Sequence, residues 1–235
     1  DRVSCKEYDS GFPLGNRPIL IANDVTTKYS EREESMDSIL AHIRAVIDKT
    51  RGNVAIFAPS YSMLNKIFSH FEETWPRINK ATLKEEQGMS KAAVQNILSS
   101  LREHQNMSGA ALFGVLSGKL SEGVDYSDNI LNSIVCVGLP MPPPSARQDA
   151  LIRYYTNKFD RNKAWKYASL QPAVNSILQA LGRPIRKKED RAIVVLLEKR
   201  LLGQREASCL PNMHKMQTSN PARTKERVQA FFEIS

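Results

Sequence analysis

Two arginines in the last third of the chain have a spacing that suits an anion. Arg183 and Arg186 lie three apart in Gln179-Ala180-Leu181-Gly182-Arg183-Pro184-Ile185-Arg186. On one side of a helical turn, their planar guanidinium forks could bind a single phosphate. Gln179 adds a donor and an acceptor, and Gly182 allows close approach of another surface. A basic helix end that complements the helix dipole is the simpler explanation, and two arginines alone favour it.

A second polar segment directly follows an apolar run. It reads Ser117-Gly118-Lys119-Leu120-Ser121-Glu122-Gly123-Val124-Asp125-Tyr126 and is dense in groups that form hydrogen bonds. A surface turn would have much the same composition. The segment is not a phosphate loop, because only three residues separate Gly114 from Gly118 and Leu120 stands where a hydroxyl must reach Mg²⁺. The sequence therefore predicts no complete nucleotide-hydrolysing site within this chain.

A third polar segment, Pro59-Ser60-Tyr61-Ser62, also follows an apolar run. A helix that begins there would offer backbone N–H groups and hydroxyls to an anion. An ordinary helix N-cap is the simpler explanation, and the segment taken alone favours it.

Composition limits the class of protein. The chain has 235 residues, of which 41% are hydrophobic and 25% charged, and this excludes collagen-like, coiled-coil and mainly disordered chains. Residues 140–235 hold 18 Lys and Arg against 8 Asp and Glu, whereas residues 1–139 hold 15 against 17. A basic half suits a polyanionic partner such as nucleic acid or nucleotide, although a solvated surface remains an equal alternative.

The sequence also indicates an intracellular protein. No apolar run approaches the ~20 residues that cross a bilayer, and no charged-then-apolar leader precedes the body. Cys5, Cys136 and Cys209 are too few and too widely spaced for a disulfide framework or a metal site. We expect a cytoplasmic, nucleoid-associated protein in a prokaryote or a nuclear one in a eukaryote. Because the first residue is Asp1 rather than Met, we also expect a piece of a longer polypeptide.

Five continuous apolar runs predict strands that are covered on both faces, as in a parallel sheet. They span residues 19–22, 54–58, 110–116, 134–139 and 192–197. Segments with helical spacing lie between them and predict an α/β fold, with each apolar stripe packed on the sheet. One such stripe consists of Leu151, Tyr154, Tyr155 and Phe159. Ligands are expected at the loops after the strands.

We predict a single domain over residues 1–235. Its leading segment covers about 1–16, a long connection about 202–223 and a terminal helix about 224–235.

Taken in order, the polar segments resemble motifs IV, V and VI of superfamily 2 DNA helicases. Phe57-Ala58-Pro59-Ser60-Tyr61 is similar to motif IV, the segment 117–126 to motif V, and Gln179-x-x-Gly182-Arg183-x-x-Arg186 to motif VI. The Ser121-Glu122-Gly123-Val124-Asp125-Tyr126 form of motif V resembles the XPD and DinG branch, with archaeal XPD-type proteins as the nearest match. Two departures from that branch are Pro184, where a small or aliphatic residue is typical, and Glu198, where Asp is usual.

The resemblance implies a RecA-like parallel sheet with helices on both faces, lacking the phosphate loop itself. It implies the second of two motor halves that hold ATP and Mg²⁺ between them and move 5′ to 3′ along single-stranded DNA. The first half, absent here, would hold most of the ATP and Mg²⁺ contacts and a 4Fe–4S cluster bound by four cysteines. We therefore expect the isolated chain to be inactive in ATP hydrolysis. The resemblance further implies a monomer in DNA repair without a membrane partner.

Roles follow from positions in the motifs. Arg186 is implied as the arginine finger, Arg183 as a second contact to the γ-phosphate, and Gln179 as a contact to that phosphate or to its attacking water. The implied ATP-binding residues are Gly182, Glu122, Gly123 and Asp125. The implied contacts to the DNA backbone are Ser60, Tyr61, Lys119 and Ser121, with Arg147 and Tyr155 as further candidates.

Two other functions stay open on the residues alone. One is a stand-alone, non-catalytic nucleic-acid-binding module. The other is an interaction scaffold whose basic half docks acidic proteins. A phosphate-loop sequence upstream of Asp1, followed by four cysteines, would decide for the motor half.

Overall fold

The computed structural model describes residues 4, 6, 11–211 and 213–234, and these form a seven-stranded sheet whose strand pairs are all parallel. In chain order the strands are β1 (Ile19–Ala22), β2 (Val54–Ala58), β3 (Ala81–Lys84), β4 (Ala110–Val115), β5 (Ser133–Val137), β6 (Ile193–Leu197) and β7 (Lys215–Thr218). Their spatial order is β3-β4-β2-β5-β6-β1-β7. The predicted α/β fold with a parallel sheet is confirmed.

The five central strands are the five apolar runs of the sequence. Every residue of these strands is buried, because helices cover both faces of the sheet. Boundaries differ by one or two residues: β4 ends at Val115, β5 ends at Val137 and β6 begins at Ile193.

The two edge strands were not predicted. β3 and β7 are short, polar and partly exposed, because an edge strand has one neighbour and needs no continuous apolar run. β7 lies inside the segment 202–223 that was predicted as a long connection, so that prediction was wrong. The same segment holds a four-residue helix, α7 (Gln204–Ala207), and the terminal helix begins at residue 221 rather than 224.

The described part of the chain contains seven further α-helices. They are α1 (Met36–Lys49), α2 (Tyr61–Thr74), α3 (Lys91–Gln105), α4 (Ala146–Lys158), α5 (Arg161–Trp165), α6 (Gln171–Leu181) and α8 (Pro221–Glu233), with a π-helix at Lys166–Leu170 between α5 and α6. Apolar side chains of α1, α2 and α8 cover one face of the sheet. Those of α3, α6 and the segment 116–131 cover the other face.

Helix α4 is the exception to this layering. None of its residues is buried, and Leu151, Tyr154 and Phe159 are exposed. The prediction that its apolar stripe packs on the sheet was therefore wrong. α4 packs on α5 and the π-helix instead and leaves an aromatic surface uncovered.

Parallel pairing places the carboxyl ends of all strands at one edge of the sheet. The segments that begin at residues 59, 117, 138 and 198 start at this edge. The segment 117–131 then runs from the end of β4 down to the start of β5, along the face that α6 covers. Within the described ranges, no helix has both the length and the apolar character that a bilayer crossing requires.

Candidate functional site

The two arginines of motif VI lie beyond a helix, not on one. α6 ends at Leu181, and Gly182 caps it with its N–H donated to Leu178 O at 3.1 Å. Pro184, which has no N–H, follows in an irregular loop. The helical turn expected for Arg183 and Arg186 is therefore absent, although both residues line one cavity. Each side chain is placed by its own contacts.

Arg183 is fixed by the backbone of motif V. Its Nε donates to Ser121 O at 2.7 Å, and its Nη1 donates to Val124 O at 3.1 Å. Two bonds from a rigid guanidinium to two carbonyls set both the position and the orientation of the loop that it binds. Arg183 thus joins motif VI to motif V.

Arg186 is held by its backbone while its side chain stays accessible. Asp190 is buried, and its Oδ2 accepts from the N–H groups of Arg186 and Lys187, both at 2.7 Å. The Arg186 Nε lies 3.5 Å from Asp125 Oδ1, and the two side chains are 43% and 71% exposed. The guanidinium is therefore aimed at the acidic end of motif V without being enclosed.

These residues line an open cavity of about 540 Å³. Its walls are Gly123, Val124, Asp125, Ser127, Arg183 and Arg186. Gly123 has φ +77°, a left-handed conformation that favours glycine and turns the loop beneath the arginines.

Among the predicted nucleotide-binding residues, the cavity brings together Gly123, Asp125, Arg183 and Arg186. Gln179 is exposed on the last turns of α6, and neither it nor Gly182 lines the cavity. Glu122 lines a neighbouring cavity of about 530 Å³ against α3, together with Lys119.

A buried carboxylate joins motif IV to motif V. Glu85, the residue after β3, is 1% exposed. Its Oε1 accepts from the Tyr61 hydroxyl at 3.0 Å and from Lys119 N at 2.9 Å, and its Oε2 accepts from Val115 N at 3.0 Å. We call these four residues the Glu85 junction.

The Glu85 junction requires two glycines beside the carboxylate and raises the pKa of Tyr61. A Cβ at Gly118 would lie 2.6 Å from Glu85 Oε1, and a Cβ at Gly114 would lie 2.9 Å from Oε2, so the carboxylate fits only beside glycine. Burial, reinforced by the charge of Glu85, raises the pKa of Tyr61 to about 12.

The predicted DNA-contacting residues have different outcomes. Ser60 is exposed and its hydroxyl accepts from Met63 N as the N-cap of α2, which is the simpler of the two explanations. Lys119 is exposed, and its Nζ donates to Met89 O. Ser121 is fully buried, with its hydroxyl donated to Gly118 O at 3.2 Å, so its side chain is not exposed for the predicted contact with DNA. Its side chain stabilises the loop instead.

A second cleft, of about 240 Å³, opens beside Ser60 at the carboxyl edge of the sheet. Thr27, Arg32 and Lys66 also line it. Glu33 forms ion pairs with both Arg32 and Lys66, so two cations at this cleft already have an anionic partner within the chain.

The same edge contains a buried acidic centre at the end of β6. Glu198 is fully buried and accepts from the Thr26 hydroxyl at 2.6 Å and from Arg200 Nη2 at 2.7 Å. Burial raises its pKa, but the hydrogen bonds and charge of Arg200 and the donors of Thr26 and Thr27 outweigh burial and hold the pKa below its usual range. Glu198 therefore fixes the chain after β1.

Arg147 and Tyr155 lie apart from the other predicted residues. Both belong to α4, where Arg147 is exposed and Tyr155 is half-buried among aromatic neighbours.

Sequence reasoning missed Glu85 and Asp190. Glu85 follows an edge strand with no apolar signature, and Asp190 lies in a charged stretch that is typical of a solvated loop. The one available signal was a pair of closely spaced glycines beside motif V, which indicates that something approaches its backbone.

The chain does not supply ligands for an iron–sulfur cluster. It has three cysteines where four are needed, and Cys136 and Cys209 are buried free thiols. Burial raises the pKa of Cys136, which keeps this thiol protonated and therefore a poor metal ligand.

Comparisons with known proteins show which family the chain belongs to. The family described as "Helicase C-terminal domain" matches residues 43–217. The ATP-dependent DNA helicase XPD of Sulfolobus acidocaldarius is 29% identical over 86% of this chain and 35% of its own length. The ATP-dependent DNA helicase CHL1 of Debaryomyces hansenii is 30% identical over 80% of this chain and 24% of its own length.

A solved structure titled XPD helicase superposes with a TM-score of 0.68 at 27% identity, over 86% of this chain and 35% of that one. The chain thus spans about a third or less of these relatives, and its sheet has the RecA-like architecture of helicase carboxyl-terminal halves. The chain belongs to the helicase C-terminal domain family, in the group that contains the XPD-type and DinG-type DNA helicases.

Proposed function

We propose that this chain is the second motor half of an ATP-dependent 5′–3′ DNA helicase that acts in DNA repair. In this function it supplies an arginine finger to ATP and backbone contacts to single-stranded DNA. The observation that carries the proposal is the accessible Arg186 guanidinium beside the acidic end of motif V, in a cavity open to solvent.

The residues at this cavity fit the phosphates of ATP. Bound ATP supplies the phosphoanhydride whose γ-phosphate is transferred to water. Arg186 would stabilise the negative charge that develops during this transfer. Arg183 reaches the same cavity while it holds Ser121 and Val124, so it would position the loop as well as add charge. Mg²⁺ would depend on the other half, since the chain has no phosphate-loop lysine and hydroxyl in sequence.

The DNA contacts would come from the loops at the carboxyl ends of the strands. Glu85 accepts hydrogen bonds from Lys119 N and from the hydroxyl of Tyr61, the first residue of α2. It therefore holds these two residues and the N-terminus of α2 in place relative to one another. Contacts from cations, hydroxyls and N–H groups bind the sugar-phosphate backbone. Such contacts carry no sequence preference, which suits a motor that moves along DNA.

The test uses a polypeptide that contains both motor halves. Arg186→Ala should lower DNA-stimulated kcat about 10³- to 10⁵-fold and leave affinity for single-stranded DNA nearly unchanged. Lys188→Ala is the matched control, because Lys188 is an exposed cation two residues away that does not line the cavity. Wild-type turnover in Arg186→Ala would remove the arginine-finger assignment.

The purified 235-residue chain provides the complementary test. We expect it to hydrolyse essentially no ATP and to bind single-stranded DNA in a salt-dependent manner. Robust ATP turnover by this chain alone would contradict the proposed division between two motor halves.

A further inference from the structure

An exposed aromatic cluster lies on the outer side of the molecule. The rings of Tyr154 and Tyr155 of α4, Phe159 directly after α4 and Tyr167 of the π-helix contact one another, with centroids 5.3–6.3 Å apart. Tyr154, Phe159 and Tyr167 are 57%, 45% and 42% exposed. We call these four residues the aromatic platform. Large exposed aromatic groups packed side by side mark a binding surface rather than ordinary surface scatter.

The platform is pre-formed. The Gln148 amide donates to Ala168 O at 2.9 Å and to Ser169 Oγ at 2.8 Å, which ties α4 to the π-helix. Asp160 caps α5 by accepting from Lys163 N at 2.9 Å, which fixes the turn between α4 and α5. The rings are therefore in place before a ligand arrives, and little side-chain entropy remains to be lost.

Positive charge surrounds the rings. Residues 146–167 contain six Lys and Arg against two Asp. Among the described residues, Arg147, Arg153 and Arg161 form no ion pair, and all three are exposed. Tyrosine, phenylalanine and arginine are also common at protein interfaces, so the ring types alone do not choose the partner. The excess of positive charge does, because six cations against two carboxylates complement the phosphates of a polyanion.

From these observations we infer that the aromatic platform is a base-stacking site for single-stranded nucleic acid, with the surrounding cations on its phosphates. Unpaired bases expose π-faces that stack on tyrosine and phenylalanine, whereas a duplex hides them. The inference rests on the proposed function and extends it, because the contacts of motifs IV and V are to the backbone alone. The platform is also connected to motif VI through the chain. The π-helix continues directly into α6, and α6 ends two residues before Arg183.

The experiment separates base contacts from backbone contacts. The purified chain is titrated with fluorescent oligothymidylate and with an abasic oligonucleotide of the same length, which keeps sugars and phosphates but lacks bases. The double variant Tyr154→Ala/Phe159→Ala should bind oligothymidylate about tenfold or more weakly, and the abasic strand as the wild type does. Tyr154→Phe keeps the ring and should bind both strands as the wild type does. Circular dichroism and the melting temperature verify that each variant is folded.

Other outcomes overturn the inference in distinguishable ways. An unchanged affinity of the double variant for oligothymidylate removes nucleic acid as the ligand and leaves the platform to a protein partner. Equal losses on the two strands indicate a general change rather than stacking. If the wild-type chain binds neither strand, the proposed backbone contacts fail together with this inference. If the wild type binds both strands and the double variant is unaffected, only this inference fails.

Discussion

The Glu85 junction and the Arg186 cavity hold their functional residues in opposite ways. In the junction, a buried carboxylate accepts three hydrogen bonds of 2.9–3.0 Å, so Tyr61 and the backbone of Lys119 are fixed. At the cavity, the Arg186 side chain has one exposed ion pair at 3.5 Å. Charge-assisted bonds in a buried site are strong, whereas exposed ion pairs contribute about 0–1 kcal/mol. The side chains of the junction are thus preorganised, whereas the Arg186 guanidinium can move to a ligand at little cost.

The same contrast appears within motif VI. Arg183 bonds to two backbone carbonyls, and Arg186, three residues later, bonds to none among the described residues. One arginine therefore builds the site while the other stays accessible for a ligand.

The largest expected effect is at Glu85. Glu85→Ala leaves three donors without their acceptor, and partial rehydration brings the expected loss to about 3 kcal/mol of unfolding free energy. Glu86→Ala is the matched control, because Glu86 is an exposed neighbour that pairs, within the described ranges, with Lys84 alone. It should change stability by about 0.5 kcal/mol or less. Urea denaturation measures both values. Equal, small losses in the two variants would show that the junction does not hold motifs IV and V together.

The next effect separates the two arginines. Arg183→Ala should destabilise the chain by about 2 kcal/mol, since it removes two bonds from a charged donor to part-buried carbonyls. Arg186→Ala should remain within about 0.5 kcal/mol of the wild type because its ion pair with Asp125 is exposed. The ranking of the two melting temperatures reports the difference directly. A larger loss in Arg186→Ala would reverse the roles assigned here.

The sheet was predictable from the sequence where burial is complete. β2 and β4 must be apolar along their whole length because both faces are covered, and their runs appear directly in the sequence. β3 and β7 are each paired on one side, which imposes no such pattern. The α4 stripe has the spacing of a packed helix, but spacing alone does not say whether an apolar face meets a sheet or solvent.

The candidate site was predictable only as a set of segments. Spacing identified Arg183, Arg186 and the residues 117–126, yet it could not distinguish a positioning arginine from an accessible one. That difference arises because α6 ends at Leu181, which releases both arginines from a common helical turn. Glu85 and Lys119 are 34 residues apart, so their bond reflects the pairing of β3 with β4 rather than any local pattern.

The smallest expected effect is at Tyr61, whose hydroxyl donates to Glu85 in the junction. Tyr61→Phe removes one of the three bonds to Glu85 and should cost about 1 kcal/mol at neutral pH, because the two backbone donors remain.

The same variant should also change how the free energy of unfolding depends on pH in the alkaline range. An ordinary tyrosine ionises near pH 10, whereas the pKa of Tyr61 in the folded chain is raised to about 12. Its contribution is therefore fully present below about pH 10 and is lost as the pH rises towards 12, because the unfolded state releases its proton first. Urea midpoints measured at intervals from pH 8 to 12 should converge between wild type and Tyr61→Phe across that window. Parallel curves would mean that burial and the Glu85 charge do not raise the pKa of Tyr61 in the folded chain, and the junction would then consist of its two backbone bonds alone.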